Sequence, residues 1–348
     1  MRILLTGGAG FIGSHLVRRL LNGSDNHVVN LDALRYSGNL ENVTDVASHP
    51  RYTFVHGDMA DAPLVRRLLR EHRIEGVINC AAETHVDRSI TDPLAFTRTD
   101  VIGTAVLLEE ARQAGVLRFL QVSTDEVYGS VEQGHSTEAD PLAPRSPYSA
   151  SKAGADLLVQ SYWTTYQFPV VITRGSNTYG PNQYPEKFIP LFITNALDDQ
   201  PLPLYGDGRY RRDWLSVLDH CAGIHHVFLH GKPGEVYNLG GGNERENLDV
   251  ARAILHQLGK PSSLIRFVQD RPGHDRRYAV SCRRLEALGW KPSVSFEEGL
   301  RDTVRWYQSN EAWWRKIKSG EFAAYYRRMY ERRIQEAAGL QTEQGTSR

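Results

Sequence analysis

The chain is poor in cysteine, has no excess of charge of either sign and lacks any long apolar run. Each shortage removes a class of protein. Cys80, Cys221 and Cys282 are its three cysteines, and their wide separation fits neither a disulfide framework nor a zinc ribbon. A reducing, cytoplasmic setting is expected. Lysine plus arginine number 41 and aspartate plus glutamate 41, so no global field draws the protein to nucleic acid or to an anionic membrane. No stretch approaches the roughly 20 apolar residues that span a bilayer. The N-terminal Met-Arg-Ile-Leu-Leu-Thr-Gly breaks into glycines too early for a signal peptide. No internal repeat is visible. The 348 residues, 41% apolar, suffice for one large domain or two smaller ones with real cores.

The first half alternates two textures. Ile3–Leu5, Val28–Leu31, Tyr52–Val55, Gly76–Asn79 and Phe119–Ser123 read as buried strands. Between them, Ile12–Leu21, Leu64–His72 and Thr104–Ala114 space their apolar residues as helices do. Ser149–Tyr166 is a further helix, leading into a strand at Val170–Thr173. Such alternation implies parallel strands with helical crossovers, an α/β fold. After about Arg174 prolines and glycines thicken and the elements shorten, as expected of a substrate-gripping lobe. Residues 1–174 are therefore expected to form the nucleotide-binding domain, 175–335 mainly the lobe, and 336–348 a polar tail. Ser216–Leu229 and Val236–Leu239 are candidates to rejoin the main sheet. The aromatic stretch from Trp306 to Tyr330 is expected to pack on the lobe.

Gly7-Gly8-Ala9-Gly10-Phe11-Ile12-Gly13 lies between the first strand and the first helix. Glycines there allow a tight turn and a close approach of backbone N–H groups to a pyrophosphate at the positive helix terminus. Asp32 ends the next strand, where a carboxylate accepts from a ribose 2′-hydroxyl and repels a 2′-phosphate. Those two elements together predict NAD, and a Rossmann-type doubly wound sheet beside the smaller C-terminal lobe. Arg35 is a counter-signal, since arginine could hold a 2′-phosphate. Asp58, after the third strand, is placed to reach the adenine.

Tyr148-Ser-Ala-Ser-Lys152 puts a phenol and an ammonium one helical turn apart. Lysine beside tyrosine is expected to lower the phenol toward neutrality, so that it can take the proton of an alcohol as hydride leaves. Ser123-Thr124-Asp125-Glu126 follows the fifth strand, at the end of the sheet where ligands bind. Thr124 can hydrogen-bond the reacting oxygen. Two adjacent carboxyls are unusual company for a plain dehydrogenase; surroundings that separate their pKa values would make one an acid and the other a base, the alternative being an acidic helix cap or turn. His225, His226 and His230 share a helical stretch, but no acidic partner completes a metal set, and no metal is expected.

With these segments in view, the chain resembles the extended short-chain dehydrogenase/reductase group, and within it the dTDP-glucose 4,6-dehydratases. The resemblance runs from Arg2 to about Gly320. It is carried by Gly7–Gly13, Asp32 with Tyr36-Ser-Gly-Asn39, Ala81–Ser89, Ser123–Gly129 and Tyr148–Lys152. Ser176-Asn177, Tyr179-Gly180-Pro181, Pro185-Glu186-Lys187, Arg212-Asp213-Trp214 and Asp270–Tyr278 complete it. The resemblance implies oxidation at sugar C4 with Tyr148 as base, removal of the C5 proton by Glu126, protonation of the leaving C6 hydroxyl by Asp125, and return of hydride to C6. It adds Phe11, Ile12, Leu34, Met59, Ala81, Ala82 and Thr99 to the cofactor residues. For the sugar nucleotide it implies Thr84, Asp87, Asn177, Lys187, Phe188 and Pro203, with Tyr205, Arg212, Asn247, Arg271 and His274. Arg212 and Arg271 suit a diphosphate. A homodimer through Thr104–Ala114 and Ser149–Tyr166 is also implied.

Arg35 stands where threonine is usual, Thr84 replaces serine, and Gly175 and Thr178 are unusual neighbours for Asn177. The thymidine nucleotide is favoured over the uridine one by resemblance alone. UDP-glucose 4,6-dehydratases share most of these motifs. An epimerase or decarboxylase on the same scaffold would leave Asp125 and Glu126 without a task. A non-catalytic NAD-binding regulator would need none of the five catalytic positions.

Overall fold

Runs dense in Ile, Leu and Val lie buried as parallel strands in the computed structural model, which describes residues 1–331 and 333–335. The strands are β1 (Arg2–Thr6), β2 (His27–Asp32), β3 (Tyr52–His56), β4 (Gly76–Asn79), β5 (Arg118–Thr124), β6 (Val170–Gly175), β7 (Asn177–Tyr179), β8 (Leu202–Tyr205), β9 (Arg211–Ser216), β10 (Val236–Leu239), β11 (Glu244–Glu246) and β12 (Ile265–Val268). Seven of them form one sheet in the order β10-β6-β5-β4-β1-β2-β3, with all pairs parallel. The order reverses between β1 and β4, and that switch point opens the crevice where doubly wound sheets bind dinucleotides. The expected tail 336–348 lies outside the described residues.

Helices cover both faces because side chains of one strand alternate sides. The helices of the first half are α1 (Phe11–Leu21), α2 (Ala62–Glu71), α3 (Val86–Thr91), α4 (Pro93–Phe96), α5 (Thr104–Gln113) and α6 (Pro147–Tyr166). Those of the second half are α7 (Phe188–Leu197), α8 (Val217–His230), α9 (Asn247–Leu258), α10 (Arg283–Ala287), α11 (Phe296–Ser309), α12 (Glu311–Ser319) and α13 (Glu321–Tyr326). Ile3 and Leu5 pack on one side with Leu16 and Leu20 of α1 and Ile224 and Phe228 of α8. Leu4 faces the other way, into Leu68 of α2, Leu107 and Leu108 of α5 and Val159 of α6. Each buried side chain of this kind contributes about 1.5–3 kcal/mol. Thus α8 and β10, from the second half of the chain, complete the first sheet and its cover.

The lobe has its own core. Tyr179, Phe192, Trp214, Ile254, Tyr307 and Trp314 cluster there, joined by Phe322 and Tyr325 of α13. A three-stranded sheet, β11-β9-β7, and the pair β12-β8 frame it.

Candidate active site

Between β1 and α1 the backbone is shaped by what glycine permits. Gly7 has φ +72°, and a Cβ on Gly13 would lie 2.1 Å from the Gly7 carbonyl oxygen, so the first helical turn can press against the turn before it. Gly10 caps α1 without any side-chain bond, leaving first-turn N–H groups free beside Phe11, Ile12 and Gly13 on the wall of a deep cleft. A pyrophosphate fits there by charge and by donors. Asp32 lines the same cleft and accepts from the backbone N–H groups of Ala9 and Leu34, each at 2.8 Å. Burial raises its pKa, and those two donors oppose the rise. Leu34 itself stands off the cleft, at φ +50°, and serves through its N–H.

Arg35 lines the cleft too, and its guanidinium pairs with Asp58 at 2.9 Å and Glu83 at 3.3 Å. Asp58, Met59, Ala81, Ala82 and Thr99 all line the cleft, with Met59 and Thr99 buried. Thr99 Oγ1, Asp125 Oδ2, Ser176 Oγ, Asn177 Oδ1 and His220 Nε2 are buried in this wall without a partner among the described residues. Native proteins rarely leave such groups unpaired, so the set suits a polar ligand of many donors and acceptors.

The reacting end lies at the C-terminal edge of β5. Thr124, Asp125 and Glu126 line the cleft, as do Tyr148 and Lys152 from the start of α6. That start is fixed by a capping box in which Ser146 Oγ accepts from Ser149 N–H and Ser149 Oγ accepts from Ser146 N–H, with Pro147 at the first position. Lys152 Nζ donates to the Val122 carbonyl at 2.8 Å, which fixes the ammonium in the cleft wall. Burial, then the negative neighbours Glu126 and Asp100, push Tyr148 well above its ordinary pKa. Asp100 was not anticipated. It accepts from Ser151 Oγ at 2.6 Å and from Glu83 N–H at 2.9 Å, and burial lifts it to about 6. Ser151, between Tyr148 and Lys152, was the available signal.

Asp125 and Glu126 sit side by side in unlike fields. Asp125 is pushed well up by burial and then by the like charges of Glu126 and Asp213. Glu126 is also raised by burial, but Arg271, Arg212 and Lys187 all pull it down. The pair thus sits in unlike fields, with Asp125 beside two like charges and Glu126 opposed by Arg271, Arg212 and Lys187.

Those cations come from the lobe. Arg271 donates to Asp87 at 3.0 Å, and Tyr205 OH donates to the other Asp87 oxygen at 3.2 Å. Lys187 Nζ reaches Thr84 Oγ1 at 2.8 Å. Arg212 is buried against Tyr278 and donates to the carbonyls of Arg211 and Asp275. His274 Nδ1 meets Asp270 at 2.7 Å and its ring stacks on Tyr210, while burial lowers it to about 3. Asp87, Tyr205, Arg212, Arg271 and His274 therefore form one cluster outside the cleft wall, whereas Thr84, Asn177 and Lys187 belong to the wall itself. Phe188 stacks on Trp214, Pro203 lies buried in β8, and Asn247 opens α9 with a buried Oδ1 that lacks a partner. None of these three touches the cleft. Sequence reasoning missed Glu186 and Arg88, whose 2.8 Å ion pair, with Arg88 over Tyr36, ties the loops of three motifs together.

A dinucleotide crevice that carries a tyrosine and lysine on one helix and an acid–base carboxyl pair opposite defines a dehydratase of the short-chain dehydrogenase/reductase class. The family model described as GDP-mannose 4,6 dehydratase matches residues 4–303. dTDP-glucose 4,6-dehydratase 1 of Escherichia coli strain K12 is 47% identical, covering 96% of this chain and 100% of its own. A dTDP-glucose 4,6-dehydratase of Actinoplanes sp. is 49% identical over 90% of this chain and 100% of its own. Among solved structures, DesIV, a dTDP-glucose 4,6-dehydratase from Streptomyces venezuelae with NAD bound, superposes with a TM-score of 0.90 at 51% identity, covering 91% of this chain and 100% of its own. The chain belongs to this nucleotide-sugar 4,6-dehydratase family, with dTDP-glucose 4,6-dehydratases among its relatives.

Proposed function

We propose that the chain is a hydro-lyase that converts dTDP-glucose to dTDP-4-keto-6-deoxyglucose and water, with NAD as cofactor. When bound, NAD supplies a hydride acceptor at sugar C4 and gives the same hydride back at C6. Gly7, Gly10 and Gly13 with the first turn of α1 hold its pyrophosphate, and Asp32 holds the adenosine ribose. The chain's own task is proton traffic. Tyr148 takes the C4 hydroxyl proton, and Thr124 orients that oxygen. The C4 ketone acidifies the C5 hydrogen, which Glu126 removes. Asp125, kept protonated, gives its proton to the C6 oxygen as water leaves.

The observation that carries this reading is the unlike surroundings of Asp125 and Glu126. Elimination needs an acid and a base at neighbouring carbons, whereas C4 epimerisation needs only proton exchange at the C4 oxygen. Residues 1–174 serve chiefly the cofactor and 175–335 chiefly the sugar nucleotide. Arg212 and Arg271 face its diphosphate, and Arg271 Nε still lacks a partner. Asn177 and Lys187 serve the sugar, with Thr84 and Asp87 beside it.

The active unit is a homodimer through α5 and α6. Exposed Leu157 on α6 and Ile102 just before α5 support that reading. Leu157→Arg should shift the protein to monomers in sedimentation velocity. No helix among the described residues is long and apolar enough to cross a membrane, and free cysteines fit a cytoplasmic site.

The test is incubation with dTDP-glucose and, separately, UDP-glucose, following the 4-keto-6-deoxy chromophore in alkali and loss of water by mass. Product from dTDP-glucose is expected. Product from UDP-glucose alone would reassign the base. Interconversion or carbon dioxide release without loss of water would overturn the dehydratase.

A further inference from the structure

His220 is buried in the first turns of α8, and sequence reading gave it no task. Its ring lines the cleft beside Gly175, Ser176, Asn177 and Thr178. Thr178 Oγ1 lies 2.6 Å from Nδ1 and 3.1 Å from the Ser176 carbonyl. With the one hydroxyl proton on that carbonyl, Nδ1–H is the donor toward Thr178. Nε2 is then left as a bare acceptor. It has no partner among the described residues.

The position of Nε2 narrows what it accepts from. A Cβ on Gly175 would stand 2.5 Å from it, so only a glycine leaves that edge of the ring uncovered. Gly175 pairs directly with Thr124 across β6 and β5, and Thr124 lies in the cleft with Tyr148. On the other side, the thiol of Cys221 meets the Ile12 carbonyl at 3.5 Å in the first turn of α1. His220 thus lies between the pyrophosphate turn and the reacting end. A dinucleotide running from one to the other must bring its nicotinamide past this ring. The carboxamide is the one N–H-bearing substituent of that ring.

We propose that His220 Nε2 accepts a hydrogen bond from the nicotinamide carboxamide, with Thr178 locking the tautomer and Gly175 clearing the approach. His220 is then a positioning and cofactor-selecting residue. It fixes the rotation of the nicotinamide while hydride leaves C4 and later returns to C6. Burial lowers the imidazole to about 4, so it stays neutral at the pH of catalysis. The proposal rests on the cofactor reading above, and one arm of the test checks that reading separately.

Nucleotide-free wild type, His220→Phe and Thr178→Val would be titrated calorimetrically with NAD, with its 3-acetylpyridine analogue, which keeps the carbonyl but has no N–H, and with ADP-ribose. One neutral hydrogen bond makes wild type prefer NAD over the analogue by about fivefold to tenfold. His220→Phe should bring that ratio near unity with ADP-ribose affinity unchanged. Thr178→Val should also shrink it, because Nε2 is then free to carry the proton. A variant that retains the wild-type ratio would sink the role of His220. Failure of ADP-ribose to bind wild type would overturn the cofactor reading and this inference with it. Should His220→Phe fail to fold, Thr178→Val alone decides.

Discussion

Asp125 and Glu126 are neighbours in sequence, but Asp125 feels the like charges of Glu126 and Asp213 while Glu126 feels Arg271 and Lys187 besides the Arg212 they share. Exchange of the C5 hydrogen with deuterated solvent separates their tasks. Glu126→Gln should abolish exchange and water loss together. Asp125→Asn should retain exchange while slowing water loss by about 10²–10⁴, the usual contribution of a positioned acid. Equal loss of exchange in both variants would contradict the division. Tyr148 carries a second prediction. Burial and two carboxylates hold its phenol protonated, and a base must be deprotonated to act, so C4 oxidation should rise by about tenfold per pH unit until the phenol titrates. Asp100→Asn removes one negative neighbour and should move that limb to lower pH in stopped-flow absorbance. A limb that stays in place would show that Asp100 does not reach the phenol.

The elements matter through their ends. A methyl at position 13 would collide with the Gly7 carbonyl, so Gly13→Ala should weaken NAD binding at least about tenfold, or 1.4 kcal/mol, by calorimetry. Ser146→Ala removes the α6 cap two residues before Tyr148 and should cost about 0.5–2 kcal/mol in urea unfolding. Because that cap aims the first turn, kcat should fall more than KM rises. The strands and helices around these ends were legible in sequence, since β-branched runs and helical spacing survive without tertiary context. α8 and β10 were ambiguous, because one more apolar strand fits either a main sheet or a lobe until its neighbour is known.

Stability belongs to the whole molecule, and Asp100 gives it a pH signature. Its folded pKa is about 6 against an ordinary 3.8. The stability it contributes is full below 3.8 and is lost as pH rises through 6. Asp100→Asn has no such loss, so between pH 4 and 7 it should gain about 2 kcal/mol on wild type in urea midpoints converted to free energy. A constant difference across that range would refute the raised pKa. The sequence by itself determined the doubly wound sheet, the glycine turn, Asp32 and the carboxyl pair, because each depends on local spacing. Only the tertiary structure decided that Arg35 pairs with Asp58 and Glu83, that Lys152 also donates to the Val122 carbonyl, and that Arg271, Arg212 and Lys187 converge on Glu126. Charges act through space, and residues far apart in the chain meet only once both cores have formed.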